Sequence, residues 1–427
     1  MAELKEALGL AQATFFGVGL ILGAGIYVVI GKTAGYAGYM VWLAVFLSGL
    51  ISLFTGLSYA ELSSMYPKAG SSYFYVKEAF PKLEWLGFIV GWLIFFEALS
   101  GGATASIGFA LYLSTLLNIP MVVLAMAAAI IFSIVNFLGI EESSGLNIVF
   151  TLIETAGLIM VIILGFFFGS NPVNYFEVPP QGFMGIMLGT SLIFFAYVGF
   201  ELMATTAEET KDAKRTLPKA IILALAICTL LYMLVAIAVV RLLPWQILGT
   251  SSAPLSEAVA TVIGSSAIIL TFIALFSTSN TVLGFLVSAS RISYGMAADG
   301  IIDPKLATIH PKTRTPQYTV ALAGILAVLE IVVAGFYENA IDIVAKASNL
   351  GCLLAFIFIN AAVIKLRLDS PDKERAFKIP LNIGKIPMIP IFGILSSIIV
   401  IAIAFHEIIV WVITGAIMLL GFIIKRR

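Results

Sequence analysis

Apolar runs of about twenty residues recur from one end of the chain to the other, each closed by glycine, proline or charge. At 1.5 Å of rise per residue, a helical run of that length matches the hydrocarbon thickness of a bilayer. The pattern predicts helices over 11–31, 39–63, 86–117, 121–138 and 147–168. After a polar loop it predicts five more, over 185–207, 218–240, 259–296, 318–336 and 341–365. A basic loop and a closing pair over 387–405 and 407–424 complete the series; the pair is short enough for a re-entrant hairpin to compete with two crossings. The expected fold is all-α and integral to a membrane, with about twelve transmembrane helices in a single domain over 1–427. The stretch 71–85, where Tyr73, Phe74, Val76 and Phe80 mix with Lys77 and Lys82, reads as an amphipathic helix lying on the membrane face.

Composition sharpens the class: 60% of residues are apolar and only 11% charged, which excludes a water-soluble globule. The segment before the first run contains Glu3, Lys5 and Glu6 and many spans follow it, so that run reads as a retained helix and not a leader. A formal net charge of zero offers no footprint for nucleic acid. Cys228 and Cys352 lie in separate apolar runs, and His310 and His406 stand at or beyond helix ends away from other ligands. That leaves no metal cluster, and no nucleophile with a base for an intramembrane enzyme.

Charge placement carries more than its total. With the first residues inside, the inner segments hold Lys5, the 68–82 lysines, Lys211 to Lys219, Arg291 to Arg314 and the 365–385 cluster, and the tail adds Lys425, Arg426 and Arg427. The outer side keeps Lys32 and Arg241, with Lys346 near the outer end of the tenth span. Retention of Lys and Arg on the cytoplasmic side therefore predicts a multi-pass protein of the cell membrane with both termini cytoplasmic.

Two spans break the rule that a crossing is an uninterrupted helix. The first reads Gly17-Val18-Gly19-Leu20-Ile21-Leu22-Gly23-Ala24-Gly25-Ile26, and the sixth reads Phe194-Phe195-Ala196-Tyr197-Val198-Gly199-Phe200-Glu201. They open successive groups of five spans, 11–168 and 185–365, and an odd number in each group makes the two halves run in opposite senses. Unwinding frees N–H groups suited to a carboxylate and C=O groups suited to an ammonium or sodium ion. Breaks in corresponding places of inverted halves point to a transporter site. The plainer alternative, small residues packed at a helix contact, explains one such run more easily than a matched pair.

Several elements resemble the amino acid–polyamine–organocation (APC) superfamily, in its amino acid permease and cationic amino acid transporter branch. They are Gly23-Ala24-Gly25-Ile26, the 194–201 run, the loop from Ala207-Glu208-Glu209-Thr210 to Arg215-Thr216-Leu217-Pro218, Ala289-Ser290-Arg291, Ala298-Asp299-Gly300 and Phe377-Lys378-Ile379-Pro380. The resemblance spans nearly the whole chain. It implies a leucine-transporter-like five-plus-five inverted repeat with two peripheral helices at 387–424, and secondary active transport of amino acids by alternating access. It also implies that the substrate carboxylate sits on the backbone of Ala24, Gly25 and Ile26, and the ammonium on carbonyls of Phe195, Ala196 and Val198. Phe195 falls where the family often places an aromatic gate.

A charge inside a span costs roughly 2.5–3.5 kcal/mol, and the candidate buried acids are Glu97, Glu154, Glu201 and Glu330. Glu154 falls where the resemblance places a coupling residue, a lysine in some members. The same place in other members holds sodium, through carbonyls here of Gly19 and Leu22 and hydroxyls among Ser277, Thr278 and Ser279. A carboxyl there either takes up and releases a proton, the favoured reading, or completes a sodium site. Glu201 is a second proton acceptor or a brace for the broken helix, Glu97 faces the substrate or bonds across helices, and Glu330 reads as structural. Glu208 and Glu209 with Lys211, Lys214 and Arg215 form either an inner gate of ion pairs or plain orientation charges.

The expectation is a proton-coupled amino acid symporter with no cofactor beyond the coupling ion. Sodium coupling, exchange, and a non-transporting sensor on the same scaffold are the alternatives. Glu97 and Glu201 favour cationic substrates, Phe195, Val198 and Phe200 neutral ones; neutral or broad specificity is preferred, and oligomeric state is not legible.

Overall fold

The structure is a computed structural model that describes residues 4–114, 117–251, 253–336 and 340–425. Its helices are α1 (Leu10–Ala37), α2 (Val41–Met65), α3 (Ser72–Ala79), α4 (Glu84–Ser114), α5 (Met121–Leu138), α6 (Ile140–Phe168) and α7 (Gly182–Phe194). A 3-10 segment, Phe200–Glu209, continues from α7. Then follow α8 (Ala213–Leu242), α9 (Trp245–Thr250), α10 (Pro254–Ile263), α11 (Ile268–Ala298), α12 (Gln317–Phe336), α13 (Ala340–Asp369), α14 (Met388–Ala404) and α15 (Ile408–Ile424). Among the described residues nine helical segments are long and apolar enough to cross a membrane, by length and composition, and Gly182–Phe194, Met388–Ala404 and Ile408–Ile423 are shorter apolar helices. The fold is all-α; among the described residues the one sheet is a hairpin of Asn382–Ile383 with Ile386–Pro387 in the basic loop.

Local chemistry explains where the elements start and stop. Pro120 caps α5, and Gly139, at φ 146, turns the chain straight into α6; only glycine adopts that angle without strain. Glu141 and Glu142 stand in the first turn of α6, where acids meet the positive helix end, so the fifth span begins seven residues earlier than its apolar run predicts. The expected eighth span, 259–296, is not one helix: Gly264 at φ 58 ends α10, and a short 3-10 turn leads into α11. The expected surface helix over 71–85 is also corrected. The stretch is split between α3, 72–79, and the start of α4 at Glu84, and α3 packs on α4 and α13 with Tyr73, Tyr75 and Val76 buried in protein.

Packing partners repeat between the two groups of five spans. α1 packs on α7, α2 on α8, α4 on α11 and α5 on α12. Likewise α6 lies against α8 and α11 as α13 lies against α2 and α4. One face of the bundle gathers the basic loops with both ends of the chain. There Lys5 pairs with Glu141 at 2.7 Å, the Trp85 and Phe422 rings meet, and buried Glu61 takes Arg367 at 2.6 Å and Arg375 at 3.1 Å.

Candidate functional site

Both interrupted spans are physically broken. In α1, Gly23 takes φ 23 and ψ −179, outside the helical region. In the sixth span α7 stops at Phe194, the chain turns, and Gly199 at φ 124 feeds the 3-10 segment. The breaks face each other. A Cβ on Gly199 would stand 3.0 Å from the Leu20 carbonyl oxygen, and one on Gly25 would stand 3.3 Å from the Ala196 Cα. Gly25 itself is helical; its use is this close approach, whereas Gly23 and Gly199 supply the backbone angles.

Tyr232 of α8 ties the breaks together. Its hydroxyl lies 2.7 Å from the Ile21 carbonyl, 3.1 Å from that of Leu22 and 3.1 Å from that of Ala196. One hydroxyl proton serves one carbonyl fully, so freed acceptors remain at the junction. Sequence reading missed this residue, because a tyrosine within an apolar run looks like any core aromatic.

A cavity of about 310 Å³ opens on the junction. Gly23, Gly25, Phe195, Ala196, Val198 and Glu97 line it, joined by Ser100, Thr104, Thr281, Phe285, Ser348 and Asn349, which the sequence did not single out. Ile26 is fully buried and is not part of that lining; the Ala24 side chain lies outside the described residues, though its backbone follows the break. α4 rises from the basic face at Glu84, and Ala105 and Gly108 near its far end also border the cavity, which therefore extends away from the basic face. Phe195 meets Phe405 edge-to-face, ring centroids 5.9 Å apart.

Glu154 is fully buried on α6. Ser277 donates to its Oε1 at 2.5 Å, Oε2 has no partner, and Tyr27 donates to its backbone carbonyl at 3.3 Å. The other residues expected around a sodium ion are spread differently. The Thr278 and Ser279 hydroxyls turn back onto the Ala274 and Leu275 carbonyls of their own helix. The Leu22 carbonyl takes Tyr232. Gly19 faces an amide–hydroxyl cluster in which Asn147 donates to Asn280 at 2.7 Å and Asn280 to Thr151 at 2.9 Å.

Glu201 braces its own break, accepting from the Gly199 N–H at 3.0 Å through Oε2. Glu330 borders a separate cavity between α4 and α12, with Leu99, Ile107 and Val333. The acidic pair of the following loop finds partners other than its neighbouring lysines. Glu209 binds Arg291 of α11 through two contacts, 2.8 and 3.0 Å, with both side chains at most 1% exposed. Asn136 of α5 holds the same guanidinium at 2.5 Å. Glu208 accepts from the Ala69 N–H, and the Glu209 carbonyl accepts from the Ala7 and Leu8 N–H groups. Tyr73 and Lys77 both reach Asp299. The basic face is thus closed beneath the cavity.

Two glycine breaks apposed within a bundle of membrane-length helices, over a cavity closed toward one face, define a membrane carrier. A family described as amino acid permease matches residues 8–424, and the chain belongs to it. It is similar, at 30% identity over all of this chain and 94% of the relative, to a branched-chain amino acid permease of Bacillus subtilis. A methylthioribose transporter of the same bacterium is 30% identical, over 92% of this chain and 87% of its own length. A vacuolar cationic amino acid transporter of Arabidopsis thaliana is 30% identical over 87% of this chain, which spans 64% of that protein. The family is one of permeases, and the chain is not an enzyme.

Proposed function

We propose that the protein is a secondary carrier of amino acids, working by alternating access between two inverted halves, 11–168 and 185–365, with the basic face cytoplasmic. The observation that carries the reading is the apposition of the Gly23 and Gly199 breaks over one cavity. N–H groups of Ala24, Gly25 and Ile26 bind the substrate carboxylate, and carbonyls of Phe195, Ala196 and Val198 bind its ammonium. Leu20, Ile21, Val198 and Phe285 give the cavity apolar walls, which suits neutral side chains.

Glu154 is the coupling group, and its ion is a proton. A neutral carboxylic acid needs no ligand shell to be tolerated in a dry core, and Ser277 donates directly to this one. Sodium is the second reading, favoured by the unpartnered Oε2. Uptake of labelled leucine, arginine and methylthioribose into proteoliposomes decides between these. An inward pH gradient should drive saturable leucine accumulation, and Glu154→Gln should remove that drive. Accumulation that follows sodium at constant pH overturns the proton assignment; binding without flux overturns transport.

A further inference from the structure

Away from Glu154, the bundle contains a second concentration of buried acid. Glu97 of α4, Glu201 of the 3-10 segment and Cys352 of α13 each bring one side-chain atom within 4.8 Å of the others. All three are at most 2% exposed. One oxygen of each acid, Glu97 Oε2 and Glu201 Oε1, is buried without a partner. The titratable groups facing the pair are Cys352 on α13 and Tyr59 on α2, whose hydroxyl is shared with Ser72. α1, α8 and α11 also pack on the 3-10 segment, but their buried titratable groups are engaged elsewhere. Tyr27 is on the Glu154 carbonyl, Tyr232 on the break carbonyls, Cys228 near the Val18 carbonyl and Arg291 on Glu209. Of the elements packed on α4, α3 turns Tyr73 and Lys77 to Asp299 and sets Tyr75 against the Tyr59 ring, α12 sets Glu330 against Ser100, and Lys346, Lys365 and Arg367 of α13 meet Glu407, Asp369 and Glu61. No cation among these groups meets the pair.

Two carboxylates so close in a dry interior cannot both be ionised. Glu201 is the better anion, because it accepts the Gly199 N–H at the start of the resumed helix. Glu97 lines the substrate cavity, so a proton on it has a route to water. We propose that Glu97 and Glu201 hold one proton between them, directly or through one water, Glu97 as acid and Glu201 as carboxylate, and that this pair is a second ion-carrying site of the protein. The proton leaves through the cavity only when water or the substrate ammonium arrives to offset the second negative charge. Because Glu201 belongs to the broken span and Glu97 to α4, the proton also ties the moving element to its neighbour. The transport role rests on the carrier reading above; the shared proton does not.

Infrared difference titration of the purified full-length protein tests the proton without requiring flux. Wild type should show a protonated carboxyl band beyond the one lost in Glu154→Gln, and Glu97→Gln should lose it. In Glu201→Gln the Glu97 band should titrate at least about tenfold more easily, since the like charge is gone. In liposomes Glu97→Gln should carry about one proton fewer per substrate. An unchanged Glu97 titration in Glu201→Gln means independent acids and overturns the pair, as does a spectrum in which neither variant removes a band. Stoichiometric zinc in wild type that disappears in Cys352→Ser also overturns the proton assignment, in favour of a metal.

Discussion

Replacing Glu209 by glutamine should open the basic face. The wild-type carboxylate takes Arg291 at 2.8 and 3.0 Å with both side chains essentially out of solvent. Removing one partner of a buried ion pair costs about 3–5 kcal/mol, because the other charge stays buried. Here Arg291 Nη1 keeps Asn136 at 2.5 Å, and the glutamine oxygen still accepts, so the low end applies: about 3 kcal/mol. If the pair exists only while this face is closed, that loss falls on the closed state, and the open population rises by about two powers of ten at ~1.4 kcal/mol per tenfold.

Hydrogen exchange reads that population locally. Residues 200–211 and the Ala7 and Leu8 amides held by the Glu209 carbonyl should exchange about a hundredfold faster in Glu209→Gln, with α5 and α12 unchanged. The double variant Glu209→Gln with Arg291→Met removes the stranded charge and should return most of the protection, since apolar replacement of a buried pair is often neutral. Unchanged protection over 200–211 in the single variant refutes the gate. So does a general loss of stability with no local pattern, which would make the pair a structural staple.

Gly23→Ala and Gly199→Ala should each abolish uptake in proteoliposomes while the protein still elutes as a folded species. Each forces a side chain onto positive φ, at about 1–2 kcal/mol, and the Gly199 Cβ also stands 3.0 Å from the Leu20 oxygen. Tyr232→Phe should lower the thermal midpoint by an amount matching about 1–3 kcal/mol and reduce uptake, because the Ile21, Leu22 and Ala196 carbonyls lose their shared donor; an unchanged midpoint would show that water replaces it.

The spans were legible because lipid imposes a simple code: continuous apolar length, closed by polar punctuation. Residues 121–138 form a helix between those bounds because Pro120 and Gly139 frame an uninterrupted run. The breaks were legible for a related reason, since Gly23 and Gly199 stand where glycine has no business in a plain crossing. Gly264 escaped notice because it falls within an apolar stretch whose length alone suggested one long helix. Arg291 reads in the sequence as one of the inner-side charges that orient the chain, yet its guanidinium is fully buried. Periodicity places a residue on a helix but does not say which distant helix it will meet. Asn147 with Asn280, Glu209 with Arg291 and Glu97 with Glu201 are all pairings across more than eighty residues or between separate spans, and only the packed bundle brings them together.

The closures on either side of the cavity differ in chemistry, and under the proposed alternating-access cycle that difference assigns work to the substrate. Toward the far face, Phe195 rests on Phe405, an edge-to-face contact of about 0.5–1.5 kcal/mol. Toward the basic face stand Glu209 with Arg291, a buried pair whose separation in a dry core costs several kcal/mol, and the Asp299 contacts with Tyr73 and Lys77. The empty carrier therefore opens more cheaply toward the far face. Opening the basic face requires either water to reach the ion pair or binding energy delivered through the 3-10 segment that carries Glu209. That same segment begins at Gly199 beside the substrate cavity, so a ligand clamped by both breaks pulls on the element that holds the ionic closure. In the proposed cycle, substrate binding and release of the ionic closure are then one motion of one short segment.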